Sequence, residues 1–184
     1  MEFTRSVAEA NAREYREHEP LYTVEQETIE TLPAAFESGE YGRRDAAWVV
    51  RWYYRRFLGD YPHDERRGAE EAFRETDFDA VRHAIADAVD ATGVTARLDR
   101  LTDLEAVDVP VASAFLMFID PERYVVVGPR EWSALRTAGE LSRPYPDPPT
   151  ISDYEAYLER CRSLASRFEC DLWTLYRALW RLSE

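Results

Sequence analysis

Residues 104–119 read LEAVDVPVASAFLMFI, and the reading of this stretch decides the fold. Leu98, Leu101 and Leu104 recur at three-residue spacing, which predicts a helix over 95–104. Pro110 suits the first turn of a second helix, where a missing backbone N–H costs nothing. The run VASAFLMFI forms that helix, and Asp120-Pro121 ends it. The two helices of this hairpin unit (98–119) are joined by Ala106, Val107, Asp108, Val109, Pro110 and Val111. Asp108 stands where a short carboxylate can cap the Pro110 helix by accepting from its free amides.

Similar punctuation continues in both directions. Ser6 to Glu9 and Thr23 to Gln26 have capping-box spacing. They predict one helix ending before Pro20 and another running to Gly39, broken or kinked at Pro33. Asp45 is expected to cap AAWVVRWYYRRFL (46–58), with Gly59 as its stop. YPHDERRGAEE (61–71) reads as a turn-rich connection. Asp77 opens an amphipathic helix with Val81, Ile85, Ala88 and Val89 on one side, closed by Gly93. Tyr124 to Val127 is short, β-branched and extended, and Gly128-Pro129 restarts a helix that stops at Gly139. Four prolines between Leu141 and Thr150 make that segment an irregular loop. Ser152 to Glu155 opens a helix with Tyr157, Leu158, Cys161, Leu164, Ala165 and Phe168 inward, and Leu172 to Leu182 forms the last. The expectation is a single all-α domain over 1–184.

Composition narrows the function classes. With 45% hydrophobic residues, 184 residues suffice for a real core. No apolar run approaches the ~20 residues of a membrane span. The first twenty residues lack a signal-peptide core, so a cytoplasmic protein is expected. Net charge is −13, and all 23 basic residues are arginine, with no lysine in the chain. Carboxylate excess with arginine in place of lysine suits a salt-rich cytoplasm, which points to a halophilic source. Cys161 and Cys170 lack metal-ligand spacing, and His18, His63 and His83 are scattered, so no metal site is expected. No phosphate loop, nucleophile elbow or other cofactor motif is visible.

From Leu98 to Trp132 the chain resembles the helix–hairpin–helix DNA glycosylases, in particular their 8-oxoguanine glycosylase-like branch. Leu104, Val107, Val111 and Ala112 match the apolar frame of that family's hairpin. YVVVGPREW (124–132) matches the extended run that leads there into the next helix, and a weaker likeness covers 45–182. The resemblance implies a helical glycosylase-like fold and a hairpin that meets DNA phosphates. It also implies a catalytic acid at the position of Gly128 and, in bifunctional members, a lysine nucleophile at the position of Pro110.

The departures matter as much as the match. Ala106 and Asp108 replace the hairpin glycines that would let the backbone approach a phosphate. Schiff-base chemistry is excluded, because the chain has no lysine to supply the amine. Asp120 and Glu131 are the nearest carboxylates for a monofunctional mechanism, although each also suits a helix terminus. Arg130 lies beside the expected site as a contact candidate, with pairing to a neighbouring carboxylate as its alternative. Arg51 and Trp52 belong to WVVRWYYRR (48–56), which interleaves aromatics with arginines that could stack bases and meet phosphates. Its helical spacing favours aromatics in the core and arginines on the remainder.

The expected function is that of a catalytically degenerate glycosylase-like protein that binds nucleic acid or a nucleobase-like ligand without excision. Two alternatives stand beside it. One is a protein-interaction or regulatory module with a protein partner, and the other a monofunctional glycosylase with a relocated carboxylate.

Overall fold

A helix that is apolar on every face must be surrounded by protein, and the helix after the hairpin meets that condition. In the computed structural model, which describes residues 3–57 and 59–182, Pro110 to Ile119 are all buried. The helices are α1 (Arg5–His18), α2 (Tyr22–Ser38), α3 (Arg43–Arg55), α4 (His63–Glu75), α5 (Phe78–Asp90), α6 (Val94–Thr102), α7 (Val109–Ile119), α8 (Pro129–Thr137), α9 (Ile151–Phe168) and α10 (Leu172–Leu182). Among the described residues there is no strand. The architecture is all-α. α7 is the axis, packed by α2, α3, α6 and α9, while α1 lies along α10, and α10 against α8 and α9. No helix among the described residues is long and apolar enough to cross a membrane.

Side-chain caps open α1, α5, α7 and α9. Asp108 accepts from Val111 N at 3.0 Å, and Asp77 accepts from Ala80 N at 3.2 Å. Gly39 closes α2 at φ 74°, a left-handed conformation that glycine adopts without a Cβ penalty. Several expected signals lie two or three residues from the real ones. Thr4 rather than Ser6 caps α1. Leu21 precedes α2 without a side-chain cap, and Pro33 sits inside that helix without ending it. Asp45 lies inside α3 and accepts from Gly42 N at 2.7 Å. α3 ends at Arg55, and Leu58 of the expected helix lies outside the described residues. Thr150 and Asp153 form the box that opens α9. The largest correction is α4, a thirteen-residue helix where a turn-rich connection was expected. Phe73 is its one buried residue, so it carries no hydrophobic stripe to betray it.

The extended run Tyr124–Val127 is buried although it pairs with no strand. Its backbone polar groups need partners, and side chains supply them. Tyr154 OH donates to Val125 O and Tyr157 OH to Val126 O, both at 3.0 Å. Val126 N approaches Met117 Sδ at 3.2 Å, and Val127 N donates to Ser113 Oγ at 3.0 Å. The run therefore retraces α7 from its C-terminal end toward its start and delivers Gly128 to the interior. Ser113→Ala leaves the Val127 amide without its acceptor. It is expected to lower unfolding free energy by about 1–3 kcal/mol, read from urea denaturation.

Candidate functional site

Two regions hold the residues singled out by sequence, and they differ in kind. The first is the neighbourhood of Gly128, where the family resemblance implies a catalytic acid. It is filled. Arg56, at the C-terminal end of α3, and Glu131, in the first turn of α8, form an ion pair between Arg56 Nη1 and Glu131 Oε1. Both are buried, at 1% and 0% side-chain exposure. The Arg56 guanidinium lies 4.8 Å from the Tyr53 ring centroid, 4.9 Å from Phe57 and 5.1 Å from Trp180. Trp52 and Tyr176 complete the cage at 5.4 and 5.8 Å. A Cβ on Gly128 would stand 2.6 Å from both Arg56 Nη2 and Glu131 Oε2. The glycine is thus explained by close approach of a charged pair that five rings keep from swinging aside.

A second buried pair adjoins the first. Glu25 of α2 accepts from Tyr15 OH at 2.8 Å and from Trp52 Nε1 at 3.0 Å. Arg177 of α10 reaches its other oxygen at 3.4 Å. Trp52 therefore touches Arg56 with its ring and Glu25 with its N–H. Tyr176 touches Arg56 with its ring, and its hydroxyl lies 3.5 Å from that of Tyr15. Burial pushes the Glu25 carboxyl above its ordinary value of 4.5, against the opposing pull of Arg177 and the hydrogen bonds it accepts. Trp52, a base-stacking candidate whose helical spacing favours the core, lies in the core.

The surrogate acids are not brought together. Glu131 is the buried partner of Arg56. Asp120 ends α7, donates its backbone N–H to Leu116 O, and lies with Oδ2 3.8 Å from Arg123. The whole of α7, about 16 Å at 1.5 Å per residue, separates Asp120 from the hairpin. Within the hairpin, Val107, Pro110 and Val111 are buried, Ala106 and Val109 half-buried, and Asp108 is exposed as a cap. Arg130 stacks 4.0 Å above the Trp180 ring and donates to Trp180 O at 3.4 Å. Among the described residues no group of three or more His, Cys, Asp or Glu side chains could hold a metal ion. Burial pushes the Cys161 thiol up to about 12, which suppresses the reactive thiolate.

The second region is open. α3 and α4 flank a surface groove of about 410 Å³ lined by Arg43, Arg44, Arg51, Arg55, Arg67 and Arg74, with Glu70, Glu71 and Ala47. Six arginines against two glutamates give a local charge of +4 on a chain of −13. Helical spacing builds both walls. Arg44, Arg51 and Arg55 form one stripe of α3, opposite the buried Ala46, Val49, Val50 and Tyr53. Arg67, Glu70, Glu71 and Arg74 form one stripe of α4 at i, i+3, i+4 and i+7. Arg43 clamps the C-terminal end of α4, donating to Arg74 O at 2.8 Å and Thr76 O at 2.9 Å. The α3 wall is visible in WVVRWYYRR (48–56), whereas the opposite wall lies on α4, where the sequence predicts a turn-rich connection.

No family model, curated protein or solved structure matches this chain. The functional argument therefore rests on the two regions themselves.

Glu131→Leu should cost about 3–5 kcal/mol, since it leaves Arg56 charged and unpaired in the interior. The double variant Arg56→Met/Glu131→Leu should recover most of that loss in denaturant titration. Glu25 gives a pH signature. Its folded pKa lies above the ordinary value, so folding takes up a proton between the two. The group's contribution to stability is greatest below 4.5 and falls as pH rises through the window. Relative to Glu25→Gln, the wild-type protein should gain stability as pH falls from about 7 to about 4, read from denaturation midpoints.

Proposed function

We propose that this protein binds nucleic acid without excising bases, on a helical scaffold resembling the helix–hairpin–helix DNA glycosylases. The observation that carries the reading is the α3–α4 groove, a concentration of arginine on an otherwise acidic chain. Clustered guanidinium groups are suited to phosphate, which they meet with paired N–H donors. The filled neighbourhood of Gly128 supports binding without chemistry. A base flipped out of a duplex needs a pocket and a poised acid, and Arg56 and Glu131 occupy the place where the resemblance implies both. The protein-interaction reading gains less support, since Val24 is the one exposed large hydrophobic among the described residues. Arginine as the sole basic residue and the excess of carboxylates fit a salt-rich cytoplasm, in which repulsion between the acidic surface and a polyanion is screened.

The test pairs binding with excision. In potassium chloride buffers, labelled duplex and single-stranded DNA should shift in fluorescence anisotropy with the wild-type protein. Duplexes carrying 8-oxoguanine, uracil or an alkylated base should remain uncut under the same conditions. Gly128→Asp, which restores the residue type the family resemblance implies, should lower stability and still release no base. Absence of binding across the salt series, or release of a base by the wild type, overturns the proposal.

A further inference from the structure

The arginines of the α3–α4 groove divide into two sets. Arg43 is held by two backbone carbonyls, and Arg74 by Glu71 at 2.9 Å. Arg55 lies 3.6 Å from Glu70, whose carboxylate also takes Arg66 at 3.0 Å. These side chains fix the walls. Arg44, Arg51 and Arg67 have no carboxylate, carbonyl or ring partner among the described residues. Arg51 carries the distinction furthest, because its Nε is buried and unpartnered beside the groove. Seven residues separate Arg44 from Arg51, so they stand about 10.5 Å apart along one stripe of α3. That spacing suits successive groups of a polymer better than one small anion. The lining contains no aromatic residue on which a base could stack and no asparagine or glutamine to read a base edge.

We infer that the groove takes the phosphate backbone of duplex nucleic acid without reading its bases. Arg44, Arg51 and Arg67 make the phosphate contacts, and Arg43, Arg55 and Arg74 frame them. This rests on the nucleic-acid reading above and adds to it the place, the residues and the form of nucleic acid. Neutralising three phosphates releases counterions, so log K should fall with log salt at a slope of about −2.7 for a duplex. Between 0.1 M and 1 M potassium chloride that slope amounts to about 500-fold in affinity.

The experiment is anisotropy of labelled duplexes of two unrelated sequences, with competition by unlabelled single strand, inorganic phosphate and polyphosphate. The wild type should bind both duplexes alike, with the predicted slope. Arg44→Gln/Arg51→Gln/Arg67→Gln should lose about 500-fold at 0.1 M salt and most of the slope. Arg44→Lys/Arg51→Lys/Arg67→Lys should keep the slope, because each phosphate contact keeps its charge. A control with the same change in net charge, Arg16→Gln/Arg100→Gln/Arg136→Gln, should bind like the wild type. Thermal melting confirms that every variant is folded. Wild-type binding that the groove triple leaves unchanged overturns the site while sparing the proposed function. Absence of wild-type binding overturns both. Preference for one sequence, for single strand, or for polyphosphate over duplex overturns the base-independent duplex assignment.

Discussion

The buried pair of Arg56 and Glu131 is the constraint around which the rest of the molecule is arranged. Placing two ions in the interior carries a desolvation cost that only close pairing and favourable surroundings offset. Here the surroundings are five aromatic rings about the guanidinium, drawn from α3 and the residues after it and from α10. The pair joins the end of α3 to the start of α8, while Glu25 and Arg177 join α2 to α10. Trp52 and Tyr176 touch both assemblies, so the four helices are held by one connected polar network rather than by two separate clasps. Such networks are costly when half satisfied. Gly128 has no freedom to gain a side chain, because a Cβ there would stand 2.6 Å from both members of the first pair.

The same constraint sets the outer surface. With Trp52, Tyr53 and Arg56 committed inward, the rotation of α3 about its axis is fixed. Arg44, Arg51 and Arg55 are then turned toward α4, and Arg43 reaches the carbonyls at the end of that helix. The basic groove is in this sense a consequence of the buried ion pair. Its action is short-ranged. With −13 on the whole chain and +4 in the groove, a distant polyanion meets net repulsion. Screening shortens that repulsion to about 10 Å at 0.1 M salt and about 3 Å at 1 M. Contact between guanidinium and phosphate operates at the shorter of these ranges, so salt removes the long-range obstacle before it removes the contact.

Much of the fold was legible because its helices are amphipathic or capped by residues with a single evident use. Asp77, Asp108, Gly39 and the three-residue leucine spacing that runs through α6 to Leu104 each mark a boundary or a face through local chemistry alone. α4 was illegible for an equally physical reason. HDERRGAEEAFRE buries only Phe73, with Ala69 packed beside it, so its two-sidedness lies in where the charges stand rather than in a run of large apolar residues. The extended run Tyr124–Val127 was recognised from its β-branching, but not how a lone buried strand-like segment satisfies its backbone. Tyr154 and Tyr157 come from a helix about thirty positions on, and Ser113 and Met117 from the preceding α7, where nothing local marks them as partners. Arg56 and Glu131 were hidden likewise. Each is a charged residue at a helix terminus, and nothing local distinguishes a solvated ion from one buried against a partner 75 positions away.

The hairpin that organises the sequence is held by packing, with the helix after it buried from Pro110 to Ile119. In the glycosylase resemblance, amides at the start of the second helix meet a phosphate. Here Asp108 has taken the Val111 amide for itself and presents a carboxylate where the anion would approach. The helix behind it is buried from Pro110 to Ile119, so altering the hairpin would disturb the centre of the core. Anion binding and capping draw on the same few backbone groups at such a turn, and here the Asp108 carboxylate accepts from one of them. On α3 and α4 the demands do not conflict, because the arginine stripes lie opposite the buried faces. A molecule whose interior is committed to its own ion pairs can still offer phosphate contacts there without giving up any of the groups that hold it together.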